Sequence, residues 1–544
     1  MAAVVPATGY CSETRTYHSL RPVVPLPPAN QPLSLTQYAF SLLQTTDTPL
    51  STTTFLVNAT TGRSLSYSAF LSQTRSLSHS LLRFSLSPND VVLIVSPPSL
   101  LLPVLYFSLL SLGVTISPTN PLASDSELAH QVGLCNPKLA FATSATASRL
   151  PPSLPVVLVD SPEFLSLLTA PSTETFPPSP EVDQSSPAAI LYSSGTTGRV
   201  KGVCLTHRNL IALIAGMFHN AGEKEEGSPR AVSFMTIPVF HVFGFFMMVR
   251  AAAGGETLVL TERFEFEGML AAVEKYRVTY MPVSPPLVVA LVKSELTKKY
   301  DLSSLTLLGS GGAPLGKDVA ESFCHKFPNV EIVQGYGLTE TGGAATRMVG
   351  PEEASHYGSV GRLSEFLEAK IVDPATGEAL PPGHRGELWL RGPTTMKGYV
   401  GDQKATAETI DSDGWLKTGD LCYFDSQGFL YIVDRLKELI KYNAYQVPPA
   451  ELEQLLQSNP EIVDAAVIPY PDEAAGEIPM AYVVRKPGSK LTEAQVMDYI
   501  AKQVAPYKKI RKVAFVSSIP KSPAGKILRR ELINHALSTA SSKL

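Results

Sequence analysis

Ser193-Ser194-Gly195-Thr196-Thr197-Gly198-Arg199-Val200-Lys201-Gly202 places four hydroxyls, three glycines and a lysine directly after the apolar run Ala188-Ala189-Ile190-Leu191-Tyr192. A glycine-rich turn leaving a strand exposes many backbone N–H groups, and a lysine beside them adds a mobile cation, so the stretch is a cradle for phosphate. Its spacing differs from a Walker A loop, where the lysine directly follows the last glycine and leads through Ser or Thr into a helix. Here Lys201 comes three residues after Gly198 and is followed by glycine. An ordinary P-loop NTPase is therefore disfavoured. A Ser/Gly-rich surface linker is opposed by the apolar segments on both sides, the second being Val203-Cys204-Leu205.

Three further constellations have the same flavour. In Gln334-Gly335-Tyr336-Gly337-Leu338-Thr339-Glu340-Thr341 the glycines allow close backbone approach, Tyr336 offers a ring to a base, Thr339 a hydroxyl to phosphate, and Glu340 a hard oxygen to Mg²⁺. Asp420, ending Trp415-Leu416-Lys417-Thr418-Gly419-Asp420, can accept both hydroxyls of a ribose, and Arg435 can reach the same sugar. Lys526, in Pro520-Lys521-Ser522-Pro523-Ala524-Gly525-Lys526, stands on a Pro/Gly loop before a basic helix, from which it can swing into a site elsewhere. Taken singly, these are a strand-end turn, a turn aspartate, a surface ion pair and a solvated charge run.

The elements that must hold them alternate. Strands are predicted at 232–237, 278–283, 305–309 and 330–333, with helices at 266–276 and 315–327 between them, which implies a parallel sheet covered on both faces. The Pro-rich stretch 151–187 reads as a loop leading to the cradle. From about Gly386 the strands become shorter and more alternating, as at 387–391 and 429–433. After Asp434 the pattern becomes a small α+β unit with strands at 465–469 and 481–485 and a helix at 493–504. The predicted domains are therefore residues 1–434 and 435–544.

At 544 residues the chain exceeds what one core normally supports, and 44% hydrophobic with 17% charged residues is a globular composition. A net charge of −4 gives no general attraction to nucleic acid or anionic membrane. Five scattered cysteines without CxxC pairing speak against a disulfide framework and a zinc site. Residues 91–124 carry no charge, but Pro97, Pro98, Pro103 and Pro118 interrupt them, so they read as strand (91–95), buried helix (101–112) and strand (114–117) rather than a membrane span. The start of the chain lacks the basic and long apolar regions of a secretory signal. Ser542-Lys543-Leu544 at the C-terminus reads as a receptor-read peroxisomal address, which makes a peroxisomal import receptor the expected partner.

Together these stretches, with Pro238-Val239-Phe240-His241-Val242-Phe243-Gly244 and Asp434 to Glu453, resemble the adenylate-forming acyl-CoA synthetases (the ANL superfamily), and within them the 4-coumarate:CoA ligase-like enzymes. The motifs fall in the family's order across nearly the whole chain. The resemblance implies an α/β fold: a large N-terminal domain with parallel sheets and a small barrel-like β part, and a small mobile α+β C-terminal domain. It implies an enzyme that joins a carboxylic acid to coenzyme A through an acyl-adenylate, using ATP and Mg²⁺ and releasing AMP and diphosphate. The acid is expected to be cinnamate-like, fatty or oxylipin in kind.

By the family pattern Lys526 bridges the attacking carboxylate and the α-phosphate, and His241 sits beside the reacting carboxylate. Ser193, Ser194, Gly195, Thr196, Thr197, Gly198, Lys201 and Thr339 serve the phosphates, and Glu340 serves the metal. Gly312, Gln334, Gly335 and Tyr336 line the adenine and acyl-adenylate side, and Asp420 and Arg435 hold the ribose. Lys437 matches the hinge about which the C-terminal domain rotates for the second half-reaction. Lys441 and Gln446 match residues used in the thioester-forming arrangement, and Arg263 matches a basic position near the nucleotide end of coenzyme A. The acyl pocket is expected from 238–244, 308–313 and the loop after Thr341.

One departure stands out. Where most relatives carry Lys-Gly before the aromatic residue and the glutamine, this chain has Asn443-Ala444-Tyr445-Gln446. The methyl of Ala444 narrows the path expected for pantetheine, and Asn443 removes a cation that meets a coenzyme A phosphate. Alternative readings within the same architecture are an adenylation-only or non-catalytic protein and a luciferase-like monooxygenase.

Overall fold

A computed structural model describes residues 4–169, 180–193, 200–220, 230–443 and 445–541. Two large sheets carry most of the chain. The nine-stranded sheet is parallel through its centre, where Thr54–Asn58, Thr257–Leu260, Val232–Phe234, Tyr280–Val283, Leu307–Ser310 and Glu331–Leu338 lie side by side. The seven-stranded sheet is parallel around Val91–Val95, Thr115–Pro118 and Leu139–Ala142, then antiparallel through Pro187–Ser193 and Lys201–Thr206 to the edge strand Gly398–Tyr399. Such strands, covered on both faces, read as short continuous apolar runs, which is why their places were legible.

Helices Leu35–Gln44, Leu101–Ser111, His207–His219 and Val242–Ala253 contribute to one apolar cluster that also takes Phe55 and Leu56 from the first sheet and Val92 and Ile94 from the second. Helix Leu101–Ser111 is apolar on all sides because it is buried on nearly all sides. Among the described residues no helix is long and apolar enough to cross a membrane. The expected barrel-like part is a six-stranded antiparallel sheet from Tyr10–Cys11 to Leu430–Arg435, with its own core around Ala369, Leu388 and Leu430.

The C-terminal domain is built on a five-stranded sheet formed by segments from Ile440–Tyr442 to Lys512–Phe515 and has a separate core around Leu452, Val467 and Val483. It encloses a buried ion pair. Glu453 accepts from Val467 N (2.8 Å) and from Arg529 Nη2 (2.7 Å), tying helices Pro449–Ser458 and Arg529–Ser541 to strand Ile462–Asp472. Burial pushes the Glu453 carboxyl up to about 7, against the pull of Arg529.

Several expectations need correction. Residues 151–187 are not a plain loop, since they contain strand Val156–Leu158 and helix Pro162–Leu167, segments too short for a periodic signal. Strand Glu331–Leu338 runs five residues beyond the predicted 330–333, so Gln334 to Leu338 are strand and not a strand-end turn. Antiparallel pairing with Gly343–Arg347 extends it, and only tertiary contact supplies that partner.

Gly244 sits in the first turn of helix Val242–Ala253, where an added Cβ would fall within 2.7 Å of the Ile237 carbonyl oxygen and closer still to that of Pro238. Gly244→Ala is expected to cost about 1–3 kcal/mol by overpacking, measured by urea unfolding against the parent. A second outcome concerns pH. Because folding raises the Glu453 pKa from its ordinary 4.5 to about 7, its contribution to stability is full below pH 4.5 and is lost as pH rises through about 7. Melting temperatures recorded between pH 5 and 8 should therefore fall less steeply in Glu453→Gln than in the parent.

Candidate active site

The stretch expected to cradle phosphate starts at the end of strand Pro187–Ser193 and ends in strand Lys201–Thr206, with Lys201 paired opposite Ser193. A strand, not a helix, follows it, in keeping with its departure from a Walker A loop. Ser194, Gly195, Thr196, Thr197 and Gly198 lie outside the described residues. The Lys201 ammonium stands 4.4 Å from the centre of the Tyr399 ring, and the Tyr399 hydroxyl donates to Glu340 Oε1 at 2.9 Å. Thr339 and Glu340 occupy the single 3₁₀ turn Thr339–Thr341, in which Thr339 is buried. The Ser193 Oγ is buried without a hydrogen-bond partner among the described residues, which fits a ligand bringing an acceptor to this spot. Tyr399 carries no local signal in the sequence. Pairing of Gly398–Tyr399 with Cys204 and Val203 brings it to Lys201.

A second group forms on the six-stranded sheet. Asp420 lies within strand Leu416–Phe424, not after a turn as the sequence suggested, and is paired in antiparallel register with Arg435 at the end of Leu430–Arg435. That register makes the ion pair, with Arg435 Nε 3.2 Å from Asp420 Oδ1. The hydroxyl of Tyr336 donates to Asp420 Oδ2 at 2.5 Å, so this residue anchors a carboxylate as well as presenting a ring. Asp420 is 2% exposed, and burial raises its carboxyl pKa against the opposing pull of Arg435 and Tyr336. Each carboxylate oxygen offers two lone pairs, so acceptor capacity remains for a diol.

Lys526 projects from a tight loop whose ends are bridged by Lys521 and Ile527 and whose interior is closed by Gly525 N donating to Ser522 O at 2.8 Å. Gly525 has φ +81°, and a Cβ there would stand 2.7 Å from Ser284 Oγ, so glycine lets the loop close on the large domain. Gly312, at φ +85°, faces the same loop, where an added Cβ would stand 3.6 Å from Ala524 O, so its backbone conformation and not crowding favours glycine. The result is a cavity of about 180 Å³ lined by Gly312, Gln334, Tyr336, Asp420, Arg435 and Lys526, and also by Glu438 and Arg529. Burial lowers the Lys526 pKa, with Arg435 adding to it, while Glu438 and Asp420 oppose the shift. Arg529, beneath it, pairs with Glu438 at 3.3 Å and with Glu453. Glu438 and Arg529 were missed at the level of sequence, where they read as ordinary members of charged runs.

A larger cavity of about 540 Å³ adjoins the first. The two share Gly312 and the stretch Gln334 to Leu338 as a common wall. One side is the sheet, where Leu307, Gly309, Val333 and Gly335 face inward. The other is helix Val242–Ala253 with Phe243, Phe246 and Met247. His241 caps this helix, its Nδ1 accepting from Phe243 N at 3.3 Å. Burial lowers the His241 pKa to about 4, so the imidazole is neutral at physiological pH.

Other expected residues stand apart. Lys441 and Gln446 are exposed partners across the hairpin formed by Ile440–Tyr442 and Tyr445–Val447, and they line neither cavity. Asn443, at the turn, adopts φ +44°, a left-handed conformation that asparagine tolerates well. Ala444 and Ser542-Lys543-Leu544 lie outside the described residues. Lys437 is exposed between the last strand of the six-stranded sheet and the first of the C-terminal sheet. Arg263 is exposed and lines neither cavity.

Residues 44–400 match the AMP-binding enzyme family, and residues 451–526 match the AMP-binding enzyme C-terminal domain. The 4-coumarate–CoA ligase-like 9 protein of Arabidopsis thaliana is 61% identical over 99% of this chain and 98% of its own length. Peroxisomal OPC-8:0-CoA ligase 1, also of Arabidopsis thaliana, is 45% identical over the whole of both chains. Among solved structures, ATP-bound MatB from Rhodopseudomonas palustris superposes with a TM-score of 0.81 at 26% identity, covering 92% of this chain and 99% of the other. The chain therefore belongs to the AMP-binding, adenylate-forming enzymes and, within them, stands with the 4-coumarate–CoA ligase-like acid–thiol ligases.

Proposed function

We propose that this ligase activates a cinnamate-like, fatty or oxylipin-type acid inside peroxisomes, with the two adjoining cavities holding nucleotide and acyl group. The observation that carries the reading is the shared wall. Gly312 and Gln334 to Leu338 border both cavities, and Lys526 reaches into the smaller one beside it. A carboxylate lying against that wall faces the nucleotide from the acyl side.

In the first half-reaction the acid's carboxylate oxygen bonds to the α-phosphorus of ATP, the bond from that phosphorus to diphosphate breaks, and acyl-adenylate forms. Lys526 bridges attacking oxygen and α-phosphate, orienting the pair and offsetting charge as it develops. Neutral His241 lies beside the carboxyl group without adding a competing cation. Asp420 and Arg435 hold the ribose, while Tyr336, Gln334 and Gly335 flank the base. Ser193, Ser194, Gly195, Thr196, Thr197, Gly198 and Lys201 cradle the phosphates. Among the described residues no cluster of three His, Cys, Asp or Glu is poised for a metal. Glu340 alone fits Mg²⁺, which takes one or two carboxylates and completes its shell with phosphate oxygens and water. When bound, that ion neutralises phosphate charge.

In the second half-reaction the thiol of coenzyme A attacks the acyl carbon and AMP leaves. The domain boundary falls near residue 434, where strand Leu430–Arg435 of the six-stranded sheet ends, and Lys437 is the hinge that turns the hairpin carrying Lys441 and Gln446 toward the wall. Their present exposure, away from Lys526, suits a second face that is used in turn. Arg263 meets the nucleotide end of coenzyme A. Coenzyme A binding is weakened by Asn443-Ala444 but retained. Peroxisomal placement rests on Ser542-Lys543-Leu544 as the receptor-read signal and on likeness to a relative named as peroxisomal.

Lys526→Ala should cut acid-dependent pyrophosphate release by about 10²–10³. Thioester formation from supplied acyl-adenylate and coenzyme A should survive in the same variant, with Lys441→Ala giving the reverse pattern. Equal loss of both half-reactions in both variants would overturn the two-face assignment. Ala444→Gly should lower the apparent KM for coenzyme A in steady-state assays.

A further inference from the structure

Alternation along parallel strands places Tyr280, Leu307 and Glu331 in one row across the sheet, on the face that lines the larger cavity. Further along the same strand, three residues beyond Glu331 and about 10 Å away, Gln334 opens the stretch that forms the wall shared with the nucleotide cavity. Opposite, Phe243 and Arg250 stand on the same helix face seven residues apart, again about 10 Å. Arg250 and Tyr280 thus meet at the end of the cavity remote from His241, the guanidinium carbon 5.0 Å from the tyrosine ring centre.

This end is polar but electrically occupied. Arg250 Nη2 pairs with Glu256 Oε2 at 2.8 Å, and Glu331 stands in the Tyr280 row, so a second carboxylate on the substrate finds no uncompensated cation there. Two donors here are short of acceptors: the Arg250 Nε is buried without a hydrogen-bond partner, and the Tyr280 hydroxyl has among the described residues only the Met247 sulfur at 3.9 Å, a weak acceptor. Burial pushes its pKa up to about 12, which keeps it a donor. Gly309 is what leaves the hydroxyl free to point inward, since a Cβ there would lie 2.5 Å from it.

We infer that Tyr280 is a specificity-determining residue whose hydroxyl donates to a neutral oxygen, a ketone or hydroxyl, carried on the acid's tail about 10 Å from its carboxyl group. An unsubstituted chain would bury this donor against methylenes and leave it unpaired, whereas an oxygenated tail satisfies it. The inference rests on the larger cavity being the acyl site. It goes further in choosing oxygenated tails over plain and dicarboxylic ones.

The test compares 9-oxodecanoate with decanoate, acids of equal length differing at the required position, in pyrophosphate release and in direct binding by calorimetry. The parent should favour the oxo acid in kcat/KM, and Tyr280→Phe, which keeps the ring over Arg250, should reduce that ratio about tenfold through KM. Gly309→Ala, which crowds the hydroxyl, should reduce the same ratio. Turnover of both acids with a ratio near one, or a ratio that neither substitution alters, overturns the subsite and leaves the ligase reading standing. Tyr280-dependent binding of the oxo acid without pyrophosphate release from either acid upholds the subsite and overturns its use in adenylation.

Discussion

Strand Glu331–Leu338 runs parallel to Leu307–Ser310 for its first half and antiparallel to Gly343–Arg347 for its second. The change of partner requires the backbones to come unusually close. A Cβ on Gly337 would stand 2.7 Å from the Gly343 carbonyl carbon, and one on Gly335 would press on Thr346 O at 3.1 Å. With glycine at both positions, one strand supplies a floor of the larger cavity at its start and a wall common to two cavities at its end. The spacing of the reactive groups follows from this strand, because Glu340 leaves it at one end and Tyr336 stands within it.

Charge is arranged around that wall under the constraint that buried ions must be paired. Asp420 is held by Arg435 and Tyr336, and Arg529 by Glu438 and Glu453. Lys526 enters this network from a different domain, close to Arg435, which helps to lower its pKa. Glu438 and Asp420 oppose that shift, so the ammonium is held between a cation and two carboxylates.

Much of the fold was legible. Helix Phe266–Tyr276 and strand Val91–Val95 match their predicted spans, since apolar periodicity and length suffice for elements buried in regular layers. Lys201, Asp420, Arg435 and Lys526 stood out because each sits beside glycine, or at a strand end, in an unusual local pattern. Tyr399, Glu438 and Arg529 did not, as an aromatic residue or a charge in a polar run carries no mark of the partner it will meet. The extension of Glu331–Leu338 was missed for the same reason, its second partner being a strand reached only after a sharp turn at Gly342.

What the sequence determined by itself was the class: a glycine- and hydroxyl-rich stretch with a lysine, a carboxylate after a strand, an aspartate and an arginine, and a lysine on a Pro/Gly loop, in an order that identifies an adenylate-forming ligase. Tertiary structure alone decided which of these groups share a cavity, that Lys526 and not the hairpin of Lys441 and Gln446 faces the common wall, and that Arg250 meets Tyr280 at the remote end. The physical reason lies in range. Backbone conformation and hydrophobic period are set by neighbours along the chain, whereas a cavity is made by strands and helices whose contacts are settled by register and packing between distant segments.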